Sequence, residues 1–407
     1  MFLKKTFTPL ITLIALIAAG CGAPDEQESA TAGNGDVYES IHHNFRVTTV
    51  VDGLHHPWAI AFLPNGDKLV TERGSNSLPA QLRIIRDGEL LPDPVPGLPE
   101  IRTGGQGGLL DVIPHPDFEN NNLIYISYSK PNDDGSEGTT AVIRGTFEND
   151  QLQNVEEIFE AQAWTGGQGH YGSRLAFDHD GYLFVTVGDR QANPGGGLEA
   201  QQEHPSQDLS NHYGTVNRIH DDGSVPSDNP FLDEEGALPE IWSYGHRNPQ
   251  ALAVHPETND VWATEHGPQG GDELNHIRPG VNYGWPIIGF GVNYGAGSPL
   301  HEIINRDELE LPVHHWTPSI APAGMAIYSG DQFPQWQGSF FAGGMSGQYQ
   351  ILARVTVQGT DFVAEEVLLP GEYRIRDVRE GPDGYIYLAI DDRGGEATPI
   401  VRLEPAQ

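Results

Sequence analysis

A histidine and an aspartate at the two ends of one predicted hairpin are the residues best suited to acid–base chemistry. His170 follows a glycine-rich approach, and Asp189 ends an apolar stretch nineteen positions later. Residues 175–177 and 182–187 predict two strands joined by an Asp-His-Asp-Gly turn. Because a hairpin brings its ends together, the carboxylate can fix the imidazole tautomer and raise its basicity, as a general base requires. A surface histidine near a turn aspartate is the alternative.

Five other segments repeat the pattern of this hairpin: an apolar strand, a turn with Pro, Asp, Asn or Gly, a second apolar strand and a polar or glycine exit. The six segments are 58–74, 109–129, 173–190, 250–267, 323–345 and 374–391. Uneven repetition of this kind is typical of propeller blades with variable insertions, since an isolated hairpin is only marginally stable. The sequence therefore predicts an all-β fold, a six-bladed β-propeller with variable loop insertions.

The composition is strongly acidic and rich in turn-forming residues. There are 57 Asp and Glu against 22 Lys and Arg, a formal net charge of −35. Such a surface repels nucleic acid and anionic lipid, so neither is expected as a partner. Fifty Gly and 31 Pro predict many turns and few long helices, in agreement with the propeller.

The N-terminal residues predict export. A basic start, MFLKK, precedes an apolar stretch that ends in Ala18-Ala-Gly and the single cysteine, Cys21. This is the pattern of a secretory signal, and Cys21 resembles a bacterial lipobox cysteine with Ala18 in place of the usual Leu. We therefore expect a periplasmic protein lipid-anchored at Cys21, with the outer membrane as its site; an ordinary signal peptide with an incidental cysteine is the alternative. The predicted division is a signal peptide over 1–20, a flexible tether over 21–38 and the propeller domain over 39–407.

Two arginine motifs indicate an anionic ligand. Arg374 and Arg376 stand at positions i and i+2, so on a strand they point the same way. Two convergent cations favour a polycarboxylate or a phosphate. Arg247, followed by Asn248, precedes a predicted strand and offers planar donors to carboxylates and oxyanions. Solvated or purely structural arginines are the alternatives.

The remaining motifs exclude several classes of chemistry and indicate others. GGQGHYG contains a formal GxGxxG, but its glycines precede a strand instead of opening a helix, which excludes the dinucleotide interpretation. The sequence has no HExxH, no Cys/His zinc spacing and no GxSxG elbow. Gln106 lies on glycine-flanked backbone that a ligand can approach, or in a plain turn. EHGPQGGDE combines carboxylates and backbone carbonyls, the ligands of calcium, without EF-hand spacing.

Taken together, these motifs resemble those of the soluble pyrroloquinoline-quinone (PQQ)-dependent glucose and aldose sugar dehydrogenases, and favour the bacterial aldose branch. The resemblance extends from about His55 to Leu403. It is carried by GQGGLLDVIPHPDF, HYGSRLAFDHDGYLFVTVGDR, YGHRNPQALA, TEHGPQGGDELN, NYGWP, APAGMAIYSGDQFP and RIRDV. It implies a six-bladed propeller that oxidises aldoses to lactones with PQQ and calcium, and that passes electrons to an external acceptor whose identity stays open.

The resemblance also implies roles for individual residues. His170 matches the general base, Asp189 the carboxylate that orients it, and Arg247 an arginine near the reacting quinone oxygen, where it stabilises negative charge. The other residues that match cofactor contacts are Gln106, Asn248, Tyr294, Arg374 and Arg376. Those that match calcium ligands are Gly267 and Pro268, through their carbonyls, and Glu273 and Tyr283 at a further site.

One position departs from the family pattern. In soluble glucose dehydrogenase a lysine contacts the cofactor near the position of Met345 and Ser346, where this chain has GGMSG. We count Met345 and Ser346 among the cofactor contacts, and expect either weaker affinity or compensation by backbone groups. Two other functions stay open on the sequence: a calcium-dependent propeller hydrolase such as a lactonase, which would leave the arginine pair without a purpose, and a non-catalytic binding propeller.

Overall fold

The computed structural model describes residues 36–406, and its regular structure is almost entirely β. The strands form six antiparallel sheets, five with four strands and one with five. Each sheet is called a blade below. The predicted signal peptide, Cys21 and most of the predicted tether lie outside the described residues. The end of the tether segment is described, and there Val37–Tyr38 forms a strand.

The first two strands, β1 (Val37–Tyr38) and β2 (Phe45–His55), belong to the last blade. The next three blades follow in chain order. Blade one is β3 (Pro57–Phe62), β4 (Lys68–Glu72), β5 (Gln81–Arg86) and β6 (Glu89–Leu90). Blade two is β7 (Leu109–Pro114), β8 (Leu123–Pro131), β9 (Gly138–Glu148) and β10 (Gln151–Glu160). Blade three is β11 (Leu175–Phe177), β12 (Leu183–Val187), β13 (Thr215–Ile219) and β14 (Ile241–Tyr244).

The last three blades complete the ring. Blade four is β15 (Pro249–Val254), β16 (Val261–Glu265), β17 (Asp272–Ile277) and β18 (His314–Trp316). Blade five is β19 (Pro322–Ile327), β20 (Phe340–Gly344), β21 (Leu352–Gln358) and β22 (Asp361–Leu368). Blade six is β23 (Ile375–Glu380), β24 (Ile386–Ile390) and β25 (Ala397–Pro405), followed by β2 and β1.

Helical segments in the described residues are short. They are the helices α1 (Phe118–Asn121) and α2 (Gly197–Gln202) and the 3₁₀ turns Pro205–Gln207 and Pro334–Trp336. Within residues 36–406, none has the length and apolar character needed to cross a membrane.

The first strands of the six blades pack against one another in a closed ring around the central axis. Hydrogen bonds also join neighbouring blades: the Thr71 hydroxyl donates to the Leu110 carbonyl at 2.6 Å, and the Ser127 hydroxyl donates to the Ser173 carbonyl at 2.6 Å. The prediction of a six-bladed propeller is confirmed. Each of the six predicted hairpins forms the first two strands of one blade, so the polar exits of all six meet at the same end of the axis.

The turn of the blade-three hairpin shows how local chemistry sets these strands. The Asp178 carboxylate accepts hydrogen bonds from the backbone N–H groups of Asp180, at 3.0 Å, and Tyr182, at 2.8 Å. Gly181 has φ +86°, a left-handed conformation that glycine adopts without steric cost. The turn thereby fixes the register in which Leu175 pairs with Val185, which brings the ends of the hairpin together.

An ion network fills the centre of the ring. Arg174 is fully buried, and its guanidinium contacts Asp377 at 2.9 Å and Asp111 at 3.4 Å. Arg379 contacts the same two carboxylates, Asp111 at 2.6 Å and Asp377 at 2.9 Å. Asp377 also accepts a hydrogen bond from the Ile60 N–H at 3.0 Å. Two arginines and two aspartates neutralise one another here, and they tie blades one, two, three and six together.

The ring is closed by its own chain ends, because β2 pairs with β25 from Phe45 opposite Pro405 to His55 opposite Ala397. Phe45 is fully buried and packs against Tyr38 and Trp336, with ring centroids 5.5 and 5.8 Å away.

We predict that Phe45→Ala lowers the free energy of unfolding by about 3–5 kcal/mol, because it leaves a cavity where the closing strand meets blade five. Phe362→Ala is the matched control: Phe362 is 40% exposed on the outer strand β22, so the loss there stays below about 1 kcal/mol. Urea unfolding followed by tryptophan fluorescence measures both. Equal losses in the two variants would contradict the closure described here.

Candidate active site

A cavity of about 280 Å³ opens at the end of the axis where the first strands begin. Every blade contributes to its wall near the start of its first strand. These residues are Trp58, Leu110, Gly172, Gln250, Ala321 and Arg376. The cavity is also lined by Gln106, Tyr171, His266, Met345, Ser346, Gly347, Arg374 and Arg393. The site therefore exists only when the ring is closed.

His170 and Asp189 meet beside this cavity, as the hairpin predicts. The His170 Nδ1 lies 2.6 Å from an Asp189 carboxylate oxygen, and both side chains are buried. The Trp285 indole N–H donates to the other carboxylate oxygen at 2.8 Å. The His170 backbone N–H donates to the side-chain carbonyl of Gln106 at 2.7 Å, and Gln106 itself lines the cavity. Trp285 thus holds the Asp189 carboxylate and Gln106 holds the His170 backbone, and both residues lie outside the hairpin.

The backbone at His170 adopts an uncommon conformation. Its φ is +48°, in the left-handed region that costs a non-glycine residue free energy and that recurs at functional sites. Gly188 makes room for it, because a Cβ at Gly188 would lie 2.2 Å from the His170 carbonyl oxygen. Any side chain at Gly188 would therefore displace the histidine from Asp189.

The electrostatics keep this pair as neutral imidazole and carboxylate. Burial lowers the pKa of His170; Asp189 opposes this shift and Arg247 adds to it. Burial alone would raise the pKa of Asp189, but His170 and Arg247 more than offset it and hold that pKa below its ordinary value. Since the Nδ1–H of the neutral ring donates to Asp189, the lone pair is on Nε2. This is the protonation state that a general base needs at neutral pH.

Arg247 links the pair to the loop that follows β16. Its guanidinium donates to the Gly267 carbonyl at 2.6 Å and lies over the Trp285 ring at 5.2 Å, while its backbone carbonyl accepts the Asp189 N–H at 2.8 Å. Asn248 is fully buried in the wall, where its side-chain oxygen accepts the Gly172 N–H at 3.2 Å. Arg247 thus lies next to the His170–Asp189 pair, and Asn248 binds the backbone at Gly172, two residues after His170.

Arg374 and Arg376 line the same cavity, as their spacing predicts. Arg376 is 8% exposed, lies 5.7 Å from the Trp58 ring centroid and donates to the neutral amide oxygen of Gln250 at 2.9 Å. Burial, followed by the charge of Arg374, lowers the pKa of Arg376 to about 9. A buried guanidinium that faces another cation is stabilised by an anion, so the cavity fits a ligand with carboxylate groups.

One carboxylate, Asp391, holds Arg374 in place. It forms an ion pair with the Arg374 guanidinium, and its other oxygen lies 2.8 Å from the His56 Nδ1. Burial alone would raise the pKa of Asp391, but the hydrogen bond to His56 and the charges of Arg374 and Arg376 keep it below its ordinary value. Asp391 therefore stays ionised and neutralises Arg374, while Arg376 has no carboxylate partner among residues 36–406.

The other predicted cofactor residues fall into two groups. Gln106, Met345 and Ser346 line the cavity. Tyr294 does not: it is 68% exposed, and its hydroxyl donates to the Pro268 carbonyl at 3.0 Å.

The predicted calcium residues lie close to one another, beneath Arg247. Gly267, Pro268, Glu273 and Tyr283 all line a second cavity, of only about 10 Å³. Glu265 lies there too, and one amide nitrogen of Asn275 donates to Glu265 at 2.9 Å and to Glu273 at 3.1 Å. Burial raises the pKa of Glu273, and the charge of Glu265 raises it further. All the donors are oxygens, as calcium requires, although within residues 36–406 no group of three or more His, Cys, Asp or Glu is positioned to hold a metal ion.

Several site residues escaped the sequence reasoning. Trp285, Gln250, His266 and Trp58 reach the site from blades other than that of His170, so their neighbours in sequence carry no signal of their role. His266 is the clearest case: burial, Arg247 and His170 lower its pKa to about 3, which adds a neutral imidazole to the wall. The motifs NYGWP, YGHRNPQALA and TEHGPQGGDELN contain Trp285, Gln250 and His266, but the sequence assigned none of the three a role.

Comparison with known proteins places this chain in one enzyme family. The family model described as glucose / sorbosone dehydrogenase matches residues 54–402. The chain is 42% identical over 363 residues to the aldose sugar dehydrogenase YliI of Escherichia coli, covering 87% of this chain and 92% of that protein. The chain therefore belongs to the glucose/sorbosone dehydrogenase family, whose members are oxidoreductases.

Two solved structures agree with this assignment. The apo-form of the soluble aldose sugar dehydrogenase from Escherichia coli superposes with a TM-score of 0.79 at 38% identity, covering 89% of this chain and 100% of that one. The PQQ-bound form of aldose sugar dehydrogenase from Streptomyces coelicolor superposes with a TM-score of 0.69 at 28% identity, covering 88% and 98%.

We predict that the pKa of His170 lies below the ordinary histidine value of about 6.5 and falls further in Asp189→Asn, because that substitution removes the carboxylate that favours the protonated ring. NMR titration of the imidazole Cε1–H measures both values, with the resonance assigned by its loss in His170→Gln. A pKa above 6.5 in the unsubstituted protein, or a higher pKa in Asp189→Asn, would contradict the geometry.

Proposed function

We propose that this protein oxidises aldose sugars to lactones, using PQQ and calcium and passing the electrons to an external acceptor. The observation that carries the proposal is the buried His170–Asp189 pair beside a cavity in which two arginines converge. The family assignment and the PQQ-bound relative from Streptomyces coelicolor support it. The physiological sugar and the acceptor are left open.

The chain offers a distinct set of contacts for the cofactor. Arg374 and Arg376 would bind its carboxylates with charge-assisted hydrogen bonds, and Gln106, Met345 and Ser346 would line its binding site. When bound, PQQ would supply an acceptor for a hydride, that is, for a proton and two electrons transferred together.

Calcium would be held by oxygen donors below the cavity. The carbonyls of Gly267 and Pro268 are the proposed ligands next to the cofactor, and Glu273 with Tyr283 form the proposed further site. The proximity of Glu265 to Glu273 supports a cation there, since a divalent ion would relieve the repulsion between two carboxylates that share one amide donor.

The reaction follows from the protonation state of the pair. His170 Nε2 takes the proton of the anomeric hydroxyl as C1 gives up its hydride, so that C1 and its oxygen become the lactone carbonyl. Asp189 holds the ring in the tautomer that exposes Nε2 and stabilises the imidazolium that forms. Arg247, beside the pair, would stabilise negative charge on an acceptor oxygen bound next to it. His170 and Asp189 are both buried, so solvent screens the interaction between them only weakly.

The two alternatives fit the cavity less well. A lactonase or another calcium-dependent hydrolase uses no carboxylate-rich cofactor, yet Arg376 is buried against a neutral amide, with a second arginine beside it. A non-catalytic binding protein has no use for an imidazole kept neutral by burial and held in one tautomer.

We predict that purified protein reconstituted with PQQ and calcium reduces an artificial dye when aldoses are added, and that omission of either component abolishes this. In His170→Gln, turnover falls by about 10²–10⁴-fold while PQQ binding is retained, because the base is lost but the arginines remain. Dye reduction measures turnover, and equilibrium dialysis measures bound PQQ. Absence of PQQ binding in the unsubstituted protein would overturn the proposal, as would full activity in His170→Gln.

We propose further that the protein is exported and lipid-anchored at Cys21 in the periplasm, on the basis of the MFLKK start, the apolar stretch and the Ala-Ala-Gly-Cys sequence. In a Gram-negative host, the full chain is expected to incorporate labelled palmitate and to sediment with membranes, whereas Cys21→Ser does neither. A labelled Cys21→Ser variant, or an unlabelled full chain, would contradict the anchor.

A further inference from the structure

The wall of the cavity near Met345 and Ser346 lacks a cation of its own. Both backbone N–H groups there donate to the Ile320 carbonyl, at 2.9 Å each, so neither is free for a ligand. The Met345 side chain is apolar and 5% exposed. Compensation by backbone groups, one of the two expectations from the sequence, therefore has no free donor at these two residues.

Arg393 brings a guanidinium to this same wall from another blade. It lines the cavity together with Ser346 and Gly347. A Cβ at Gly347 would lie 3.1 Å from the Arg393 Nη2 and 3.4 Å from its Cζ, so the guanidinium packs directly over this glycine. Arg393 follows strand β24, at the polar exit of the sixth predicted hairpin, and the sequence assigned it no role.

The loop that carries Arg393 is fastened on both sides. The Asp391 N–H donates to the Arg374 carbonyl at 2.9 Å, which joins the loop to the arginine pair. The Asp392 carboxylate accepts from the Gly394 N–H at 2.7 Å, and the Gly395 carbonyl lies 2.8 Å from the His55 Nδ1. These bonds hold the backbone of the loop at the cavity mouth, so Arg393 needs to order only its own side chain to bind a ligand there.

The guanidinium itself is unpaired. Within residues 36–406, Arg393 makes no hydrogen bond and no ion pair, and its side chain is exposed. The chain has 57 acidic and 22 basic residues, so carboxylates far outnumber cations, yet none within the described residues pairs with Arg393. Its neighbours across the cavity, Arg374 and Arg376, are themselves cations, so three guanidinium groups surround one space.

We propose that Arg393 is a cofactor-binding residue, which grips a carboxylate of the tricarboxylate PQQ from the wall formed by Ser346 and Gly347. It supplies the cation that Met345 and Ser346 lack. This inference rests on the proposed function, since it assigns a contact to the same ligand. Gly347 favours this placement, because a Cβ there would lie 3.1 Å from the guanidinium and shift it by a few tenths of an ångström.

The test is a titration of PQQ, in the presence of calcium, into the full apo-protein and its variants, followed by quenching of tryptophan fluorescence. Arg393→Gln is expected to bind PQQ about 10- to 100-fold more weakly, the loss typical of one charge-assisted hydrogen bond to an exposed partner. The dependence of affinity on salt should become shallower in the same variant, because one cation fewer contacts the ligand. Arg393→Lys should recover part of the affinity.

Arg46→Gln is the matched control. Arg46 is also exposed and also lacks a hydrogen bond or ion pair within the described residues, so the substitution changes the net charge equally. Arg46 pairs with Glu404 and His55 with Ala397, seven residues apart on β25, so Arg46 lies roughly 24 Å from His55, which bonds to the loop of Arg393. Its affinity for PQQ and its salt dependence should equal those of the unsubstituted protein.

The outcomes separate the two proposals. If the unsubstituted protein does not bind PQQ, the proposed function fails. If it binds PQQ and Arg393→Gln binds equally well, or if Arg46→Gln weakens binding as much as Arg393→Gln does, the role of Arg393 is refuted. An unchanged melting temperature of apo Arg393→Gln excludes unfolding as the cause of a loss.

Discussion

The closed network of Asp111, Arg174, Asp377 and Arg379 at the propeller axis is the interaction on which the site depends. Six first strands converge on one line, and a fully buried arginine there is tolerable only with carboxylates on both sides. Charge is balanced in this layer. Removal of one partner would leave an uncompensated buried charge, at a cost typical of about 3–5 kcal/mol.

On the cavity side of this network, positive and negative charges no longer balance. Strand β23 carries Arg379 in the neutralised network and Arg376 in the cavity, where Asp391 pairs with Arg374 and Arg376 donates to the neutral amide of Gln250. A chain with a net charge of −35 has no shortage of acidic residues to neutralise them. Arg376 nevertheless has no carboxylate partner in the described part of the chain, and it lies in the cavity beside which His170 is placed. A carboxylate-rich ligand completes the electrostatics that the fold leaves open.

The parts of this structure that the sequence predicted are those governed by local rules. Alternation and turn residues such as Gly181 located all six hairpins, and the hairpin geometry then brought His170 to Asp189. The closure of the ring by Phe45–His55 was not foreseen, because pairing between β2 and β25 is set by residues more than 340 positions apart.

The sequence did not predict the contacts between blades either. Asp391 holds Arg374, Trp285 holds Asp189, and Gln250 meets Arg376 only after the blades have assembled. Tyr294, matched by resemblance to a ring beside the quinone, is instead exposed and bonded to Pro268. Arg393 stood at a predicted hairpin exit, but its packing over Gly347 on a different blade appears only in the assembled ring.

The central claim is that His170, Asp189 and the arginines hold a quinone in position for oxidation of a sugar. The most direct measurement is the anaerobic absorption spectrum of the protein reconstituted with PQQ and calcium, before and after one equivalent of an aldose is added. The account predicts conversion of bound quinone to its reduced form, with one lactone formed for each quinone reduced. An unchanged spectrum with the cofactor bound, or lactone formed without reduction of the quinone, would contradict it.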